Sequence, residues 1–264
     1  MPVVSSIINK QKDSLPLGTV PLVLHRIAPQ PLEWEDVTPD ILRKIILHIG
    51  NNWVTFSKDA SEERPNSRKN WLLTFDDGYA SDYEIVFPIL QATGVRAVFF
   101  VITERVGEKS YLTWGQIREM HQHGMIFGSH SHSHQKICFL GLEGVQRELI
   151  KSRHILEDKL GVAIDAFSFP YGNYSQTALQ MAQSAGYSYC CCSDHGITRK
   201  NTVQIPRNSI NSSMDWEMVL RTIEAAPIKR LEWFMEDLAK NALKNFIGER
   251  NYLAFRKLLS SSNK

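Results

Sequence analysis

Leu72-Leu-Thr-Phe-Asp-Asp-Gly78 is an apolar run that stops abruptly at two adjacent carboxylates and a glycine. It reads as a β-strand ending in a site. Side chains alternate between faces inside a strand, so Asp76 and Asp77 converge on one point only where the strand breaks, and Gly78 permits that break. Two neighbouring carboxylates suit two roles, one as metal ligand and one as base. Asp-Asp-Gly is also ordinary turn chemistry, so this stretch alone leaves both readings open.

A second stretch, Phe127-Gly-Ser-His-Ser-His-Ser-His134, again follows short apolar sequence and a glycine. His130 and His134 are four apart, a spacing at which two imidazoles meet one cation on a helical turn or tight loop. With Asp77 they would form a two-histidine, one-carboxylate set that leaves coordination positions open, the pattern of catalytic rather than structural metal sites. The plainer alternative is a solvated His-rich turn. His132 reads as a spacer facing solvent.

These motifs resemble those of the polysaccharide deacetylases, the NodB-homology or carbohydrate esterase family 4 enzymes. Thr74-Phe-Asp-Asp-Gly78 and His130-Ser-x-x-His134 are similar to the first two signature motifs, and Phe167-Ser-Phe-Pro-Tyr-Gly172 to the third. Leu22-Val-Leu-His-Arg26 resembles the opening strand and histidine of the branch acting on surface and biofilm polysaccharides. The likeness spans roughly residues 20 to 210.

The resemblance implies a distorted, incomplete (β/α) barrel of the seven-stranded type. It also implies a metal-dependent hydrolase that removes N-acetyl groups from an acetamido sugar in cell-surface or exopolysaccharide synthesis. Asp77, His130 and His134 would hold a divalent ion, zinc first with cobalt or nickel as alternatives. Asp76 would be the base, and Pro170 and Tyr171 would contact substrate, with a backbone N–H near Tyr171 binding the oxyanion. His25 matches the histidine that serves as acid in the biofilm branch. The chain departs from the family pattern twice. No histidine follows Val203, so the late Leu-x-His acid is missing, and Ser168 stands where many relatives have an arginine that orients the base. Arg207, in Ile205-Pro-Arg-Asn208, is the expected supplier of that charge, and His195 is a second option for the acid. A hydrolase of another C–N bond and a carbohydrate-binding protein with an inactive site remain alternatives.

The chain has 264 residues, 43% of them hydrophobic, enough for one large core with an appendage. Thirty basic against 28 acidic side chains give +2, which demands no nucleic acid and suits a neutral acetylated sugar. Residues 1–10 carry no basic, apolar, small-residue export pattern, and the expectation is a cytoplasmic protein, peripheral to the inner membrane where polysaccharide-synthesis machinery would be its partner. Cys138 and the run Cys190-Cys-Cys192 form no disulfide or zinc pattern and read as reduced, the run as small buried strand residues.

In chain order, strands are expected at 21–27, 53–56, 72–76, 97–102, 125–129, 166–169, 187–192 and 203–210. Helices are expected at 39–49, 81–92 with a kink at Pro88, 113–123, 142–160 and 175–185. Strand-helix alternation implies a parallel sheet with its chemistry at the strand ends. Trp71 and Trp216 are expected to pack, whereas Tyr111, Trp114, Asn173 and Tyr174 could line a sugar cleft. After Pro227 the pattern is helix alone, with Leu231, Phe234, Met235 and Leu238 in one stripe. The expected division is 1–225 for the deacetylase-type domain and 226–264 for a helical tail packed on the barrel or a partner, with a membrane-surface role, suggested by its lysines and aromatics, as the alternative.

Overall fold

The computed structural model describes residues 15–56, 69–199, 202–248 and Tyr252. The polar stretch 57–70, which reads as a surface loop, and the apolar segment 252–259 fall largely outside these.

The strands are β1 (Val20–Leu24), β2 (Trp53–Val54), β3 (Trp71–Phe75), β4 (Val98–Val101), β5 (Ile126–Ser129), β6 (Ala166–Ser168), β7 (Tyr189–Cys191), β8 (Gln204–Ile205) and β9 (Asn208–Ser209). All pair in parallel, in the order β8-β7-β6-β5-β4-β3-β1-β9, with β2 on the side of β3. The two ends of this order are neighbours in sequence. The single expected strand at 203–210 is broken at Pro206 and Arg207, and its halves pair with opposite edges, β8 with β7 and β9 with β1. Proline cannot donate to a ladder, which accounts for the break. Counting β8 and β9 as one broken strand, the eight strands of that order form a seven-membered curled sheet whose seam is this segment. Asn208 stitches the seam, its Nδ2 donating to Pro21 O at 2.9 Å and Gly196 O at 2.8 Å, while its Oδ1 accepts from Gly196 N at 2.9 Å.

Period-two alternation sorts the sheet into two faces. Leu73, Phe75, Phe99, Val101, Phe127, Phe167 and Cys190 face outward into the main core. There they meet helices α1 (Pro39–Ile49), α2 (Phe87–Thr93), α3 (Trp114–Gln122), α4 (Leu142–Leu160), α5 (Gln176–Ser184) and α6 (Trp216–Ile223). Leu72, Val98, Phe100, Ala166, Cys191 and Ile205 form a second cluster on the inner face. The inner face therefore has an apolar floor, and the polar residues Thr74, Asp76, Ser168 and Arg207 lie above it. Arg207 rests on this floor, its guanidinium 5.4 Å from the Phe100 ring centroid.

Sequence signals set the helix starts. Thr38 Oγ1 accepts from Ile41 N, and Thr113 closes a capping box with Gln116. The expected helix at 81–92 is a π-helical turn, Asp82–Val86, running into α2. Pro88 lacks the N–H that an α-helical bond to residue 84 requires, so the turn widens. Helix α6, capped by Asp215, was not expected from the sequence, and its Ile223 carbonyl accepts from the buried Trp71 Nε1 at 3.0 Å. A final helix, α7 (Pro227–Ile247), lies across one side of the barrel mouth. No described helix is long and apolar enough to cross a membrane.

Gly128 sits on the inner face against Phe100. An added Cβ would stand 2.6 Å from Phe100 Cε1 and 2.9 Å from Ala166 O. Gly128→Ala is expected to destabilise the fold by about 1–3 kcal/mol, read as a lower urea midpoint at unchanged m.

Candidate active site

Asp76 continues the inward alternation of Leu72 and Thr74, its backbone N–H donating to Leu24 O at 3.0 Å. Asp77 would point outward if the strand continued. Its φ of 76° turns it back to the same side, and Gly78, at φ 76°, follows. Gly78 tolerates no side chain, because a Cβ would meet Val101 Cγ1 at 2.9 Å. The break read from the sequence is thus two consecutive left-handed residues.

Asp77 Oδ1 lies 3.4 Å from His130 Nε2 and 3.3 Å from His134 Nε2, and it is buried without a hydrogen-bond donor. These three atoms lie within 4.8 Å of one another. His130 Nδ1 donates to Ser168 O at 2.9 Å, which leaves the Nε2 lone pair directed at the set. Burial, followed by the neighbouring His130, lowers the His134 pKa to about 4, so this imidazole is neutral at physiological pH. An orphaned carboxylate oxygen facing two imidazole lone pairs fits a divalent cation.

The loop carrying the histidines is held by a residue the sequence reading missed. Glu148 of α4 is buried, and its Oε2 accepts from His132 N at 2.9 Å and Ser133 N at 2.8 Å, while Oε1 accepts from Ser133 Oγ at 2.6 Å. Ser131 and His134 have φ of 66° and 58°, and His134 N donates to Ser131 Oγ at 3.0 Å. His132 is not a free spacer: its Nδ1 lies 2.9 Å from Thr103 Oγ1, away from the site.

Asp76 is 2% exposed and gripped by Arg207, whose Nη1 donates to Oδ1 at 2.7 Å and Nη2 to Oδ2 at 2.6 Å. Ser168 Oγ donates to Oδ2 at 3.0 Å. Burial is the largest single influence and would raise the Asp76 pKa, but the charge and hydrogen bonds of Arg207 together with His130 and His25 outweigh it and hold the carboxyl well below the ordinary range. Arg207 thus supplies a charge beside Asp76 from the seam, and Ser168 fills the space between the two side chains.

His25 lies just past β1, its Nδ1 buried and without a partner. It also forms a group within 4.8 Å with Asp77 and Glu35, the latter unmarked in the sequence. Tyr171 follows Pro170 in a short helical turn with φ 59°, and its half-exposed ring lies 4.8 Å from His134 and under Lys136 Nζ at 5.0 Å.

His25, Glu35, Asp76, Asp77, His130, His134, Lys136, Tyr171 and Arg207 line a cleft of about 680 Å³, joined by the exposed Trp34, by Asn173 and by Glu236, Asp237 and Lys240 of α7. Tyr111 and Trp114 do not line it; Tyr111 stacks on Tyr79, and Trp114 lies under Lys159. Tyr174 instead donates to Asp194 at 3.1 Å. His195 is on the α7 side, where its N–H donates to Asp237 Oδ2 at 3.0 Å and its ring stacks on Trp233. Cys191 and Cys192 are buried, and burial pushes both thiols up to about 12, consistent with inert packing residues.

Residues 63–190 match the family model described as polysaccharide deacetylase. The chain is 30% identical over 159 residues to YxkH of Bacillus subtilis, named as a polysaccharide deacetylase, over 59% of this chain and 57% of that protein. It is 24% identical over 188 residues to the poly-beta-1,6-N-acetyl-D-glucosamine N-deacetylase of Escherichia coli K12, over 54% of this chain and 28% of that protein. The chain thus spans little more than half the length of the first relative and less of the second. The structure of the Streptococcus pyogenes deacetylase PplD in complex with acetate aligns with TM-score 0.70 and 25% identity, over 79% of this chain and 99% of that one. IcaB from Ammonifex degensii aligns with TM-score 0.67 at 24% identity, over 79% and 97% of the two chains, a likeness of fold.

Two buried carboxyls behave oppositely. Removing the guanidinium with Arg207→Met leaves Asp76 charged and dry, and is expected to destabilise the protein by about 3–5 kcal/mol in urea denaturation at pH 7. Asp82 is fully buried with no partner for either oxygen, and burial raises its pKa well above the ordinary range. Its folded form binds the proton more tightly than its unfolded form, so it costs stability as pH rises above about 4. Asp82→Asn should raise Tm at pH 7 and lose that advantage below about pH 4 in calorimetry.

Proposed function

From the match of residues 63–190 to the polysaccharide deacetylase family model, we propose that the chain hydrolyses the N-acetyl group of an acetamido sugar in a cell-envelope polysaccharide or its precursor. The single observation that carries this reading is the set of Asp77, His130 and His134 converging beside the Arg207-clamped Asp76 at the floor of one cleft.

Asp77, His130 and His134 would hold the divalent ion, with zinc the first expectation and cobalt or nickel acceptable to the same donors. Such an ion supplies polarisation of the amide carbonyl and a lowered pKa for the attacking water. Asp76 takes the proton from that water, and it is ionised before substrate arrives because Arg207 stabilises the anion. Arg207 and Ser168 fix the carboxylate plane, which leaves the second lone pair of Oδ1 for the proton. Attack forms a carbon–oxygen bond and an oxyanion, and in this reading the backbone N–H of Tyr171, in the turn after Pro170, donates to it. The carbon–nitrogen bond then breaks, and His25, which lines the same cleft, protonates the leaving amine. The products are acetate and the free amino sugar.

Trp34 and Tyr171 expose aromatic faces at the cleft, apolar surfaces suited to sugar rings. The named activity of the E. coli relative places poly-N-acetylglucosamine among the first substrates to try, and association with membrane-bound synthesis machinery belongs to the same reading.

The test is acetate release from N-acetylglucosamine oligomers by metal-loaded protein, chelated protein and Asp76→Asn. Chelation is expected to abolish release, and Asp76→Asn to lower kcat by about 10²–10⁴-fold without loss of bound metal. Stoichiometric metal with no acetate from any acetamido sugar would overturn the reading in favour of another amide or a site that binds without turnover.

A further inference from the structure

Helix α7 is amphipathic in an inverted sense. Trp233, 4% exposed, Asp237 and Lys240 turn toward the barrel, where Lys240 Nζ meets Asp237 at 2.8 Å and Asp194 at 3.1 Å. On the other side Ile228, Leu231, Phe234, Met235, Leu238 and Phe246 are each 53% to 88% exposed. At 100° per residue these six share one stripe along the helix. The stripe expected from the sequence to pack therefore points away from the barrel. A contiguous apolar patch of this kind on a protein surface marks something that covers it.

The charge of the chain identifies the cover. Beyond the inward-turned Lys240, residues 241–264 contain five Lys or Arg and a single Glu, so this stretch carries +4 while the remainder carries −2, within the total of +2. Arg230, exposed on α7, borders the same stripe. The sequence beyond the helix repeats the combination, with Phe255, Leu258 and Leu259 among Arg256 and Lys257. Aromatic and aliphatic side chains flanked by cations are what an anionic bilayer surface takes up, the apolar stripe entering the headgroup boundary and the cations meeting phosphates. A nucleic acid would use the charge and leave the apolar stripe wet.

We infer that α7 is a peripheral docking element that lays its Ile228–Phe246 stripe on an anionic lipid surface. Docking is by burial and charge, without a spanning segment. The opposite side of the same helix lines the cleft through Glu236, Asp237 and Lys240, so docking sets the cleft mouth beside the lipid surface.

The experiment is flotation of the full chain with phosphatidylcholine vesicles containing about one quarter phosphatidylglycerol, with pure phosphatidylcholine vesicles as the control. Flotation with the anionic vesicles is expected, weakened by 0.5 M salt, and reduced about tenfold or more in the Leu231→Glu/Met235→Glu double variant. Circular dichroism and the thermal transition of that variant should match the parent, and Ile228→Ser/Leu238→Ser serves as a milder second pair. Equal flotation of the parent and both variants would overturn the proposal. So would absence of flotation, whether light scattering then shows a dimer that the variants dissociate, which makes the stripe a contact between copies, or a monomer, which means the chain covers it with its own C-terminal residues. Flotation reads no catalysis, so either outcome leaves the deacetylase reading to its own test.

Discussion

The buried pair of Asp76 and Arg207 is the constraint on which the rest of the molecule depends. Asp76 stands at the end of β3 in the middle of the sheet, and Arg207 occupies the break in the strand that forms the seam. Each charge is nearly dry; the two groups bind each other, Thr74 and Ser168 add hydrogen bonds, and Arg207 Nε has no partner among the described residues. An ion pair so buried gains little net stability, yet losing one partner is costly. The seam therefore has one acceptable position relative to β3. Arginine also sits over Phe100, so the polar layer and the apolar floor of the barrel are fitted to each other.

Strain is concentrated where the chemistry is proposed. Asp77, Ser131, His134 and Tyr171 all have left-handed backbone that side chains other than glycine rarely adopt. Each follows the end of an inner strand, at the one place where consecutive residues can be turned to the same side. The surrounding bonds over-determine these conformations: Glu148 takes two backbone N–H groups of the histidine loop, and Ser129 and Ser131 take two more. The donor atoms are therefore preorganised before any ligand arrives.

Helix α7 joins the cleft to the outer surface in one rigid element. Its polar side lines the cleft, and its apolar side is exposed among the described residues. A separate helical tail was expected from the sequence, and its position over the cleft mouth makes it part of the surroundings of the site.

Much of this was legible in the sequence, because local rules decide it. Strands and helices recur at the expected places, since periodicity, the Thr38 and Thr113 caps and the terminal glycines act over a few residues. Asp76, Asp77, His130 and His134 stood out because carboxylates and imidazoles after apolar runs are costly unless they are used. Tertiary structure alone decided the remainder. The split of the last strand depends on two edges meeting, Glu148 contacts a loop 15 and 16 residues away, and Arg207 meets a carboxylate 131 residues earlier. Helix α7 turns Trp233, Asp237 and Lys240 toward the 194–196 loop and leaves outward the apolar stripe that a helical projection of the sequence would have buried. Sequence determined which residues could act, because chemistry resides in side chains; the closing of the sheet determined which of them meet, because distances across a barrel are written nowhere along the chain.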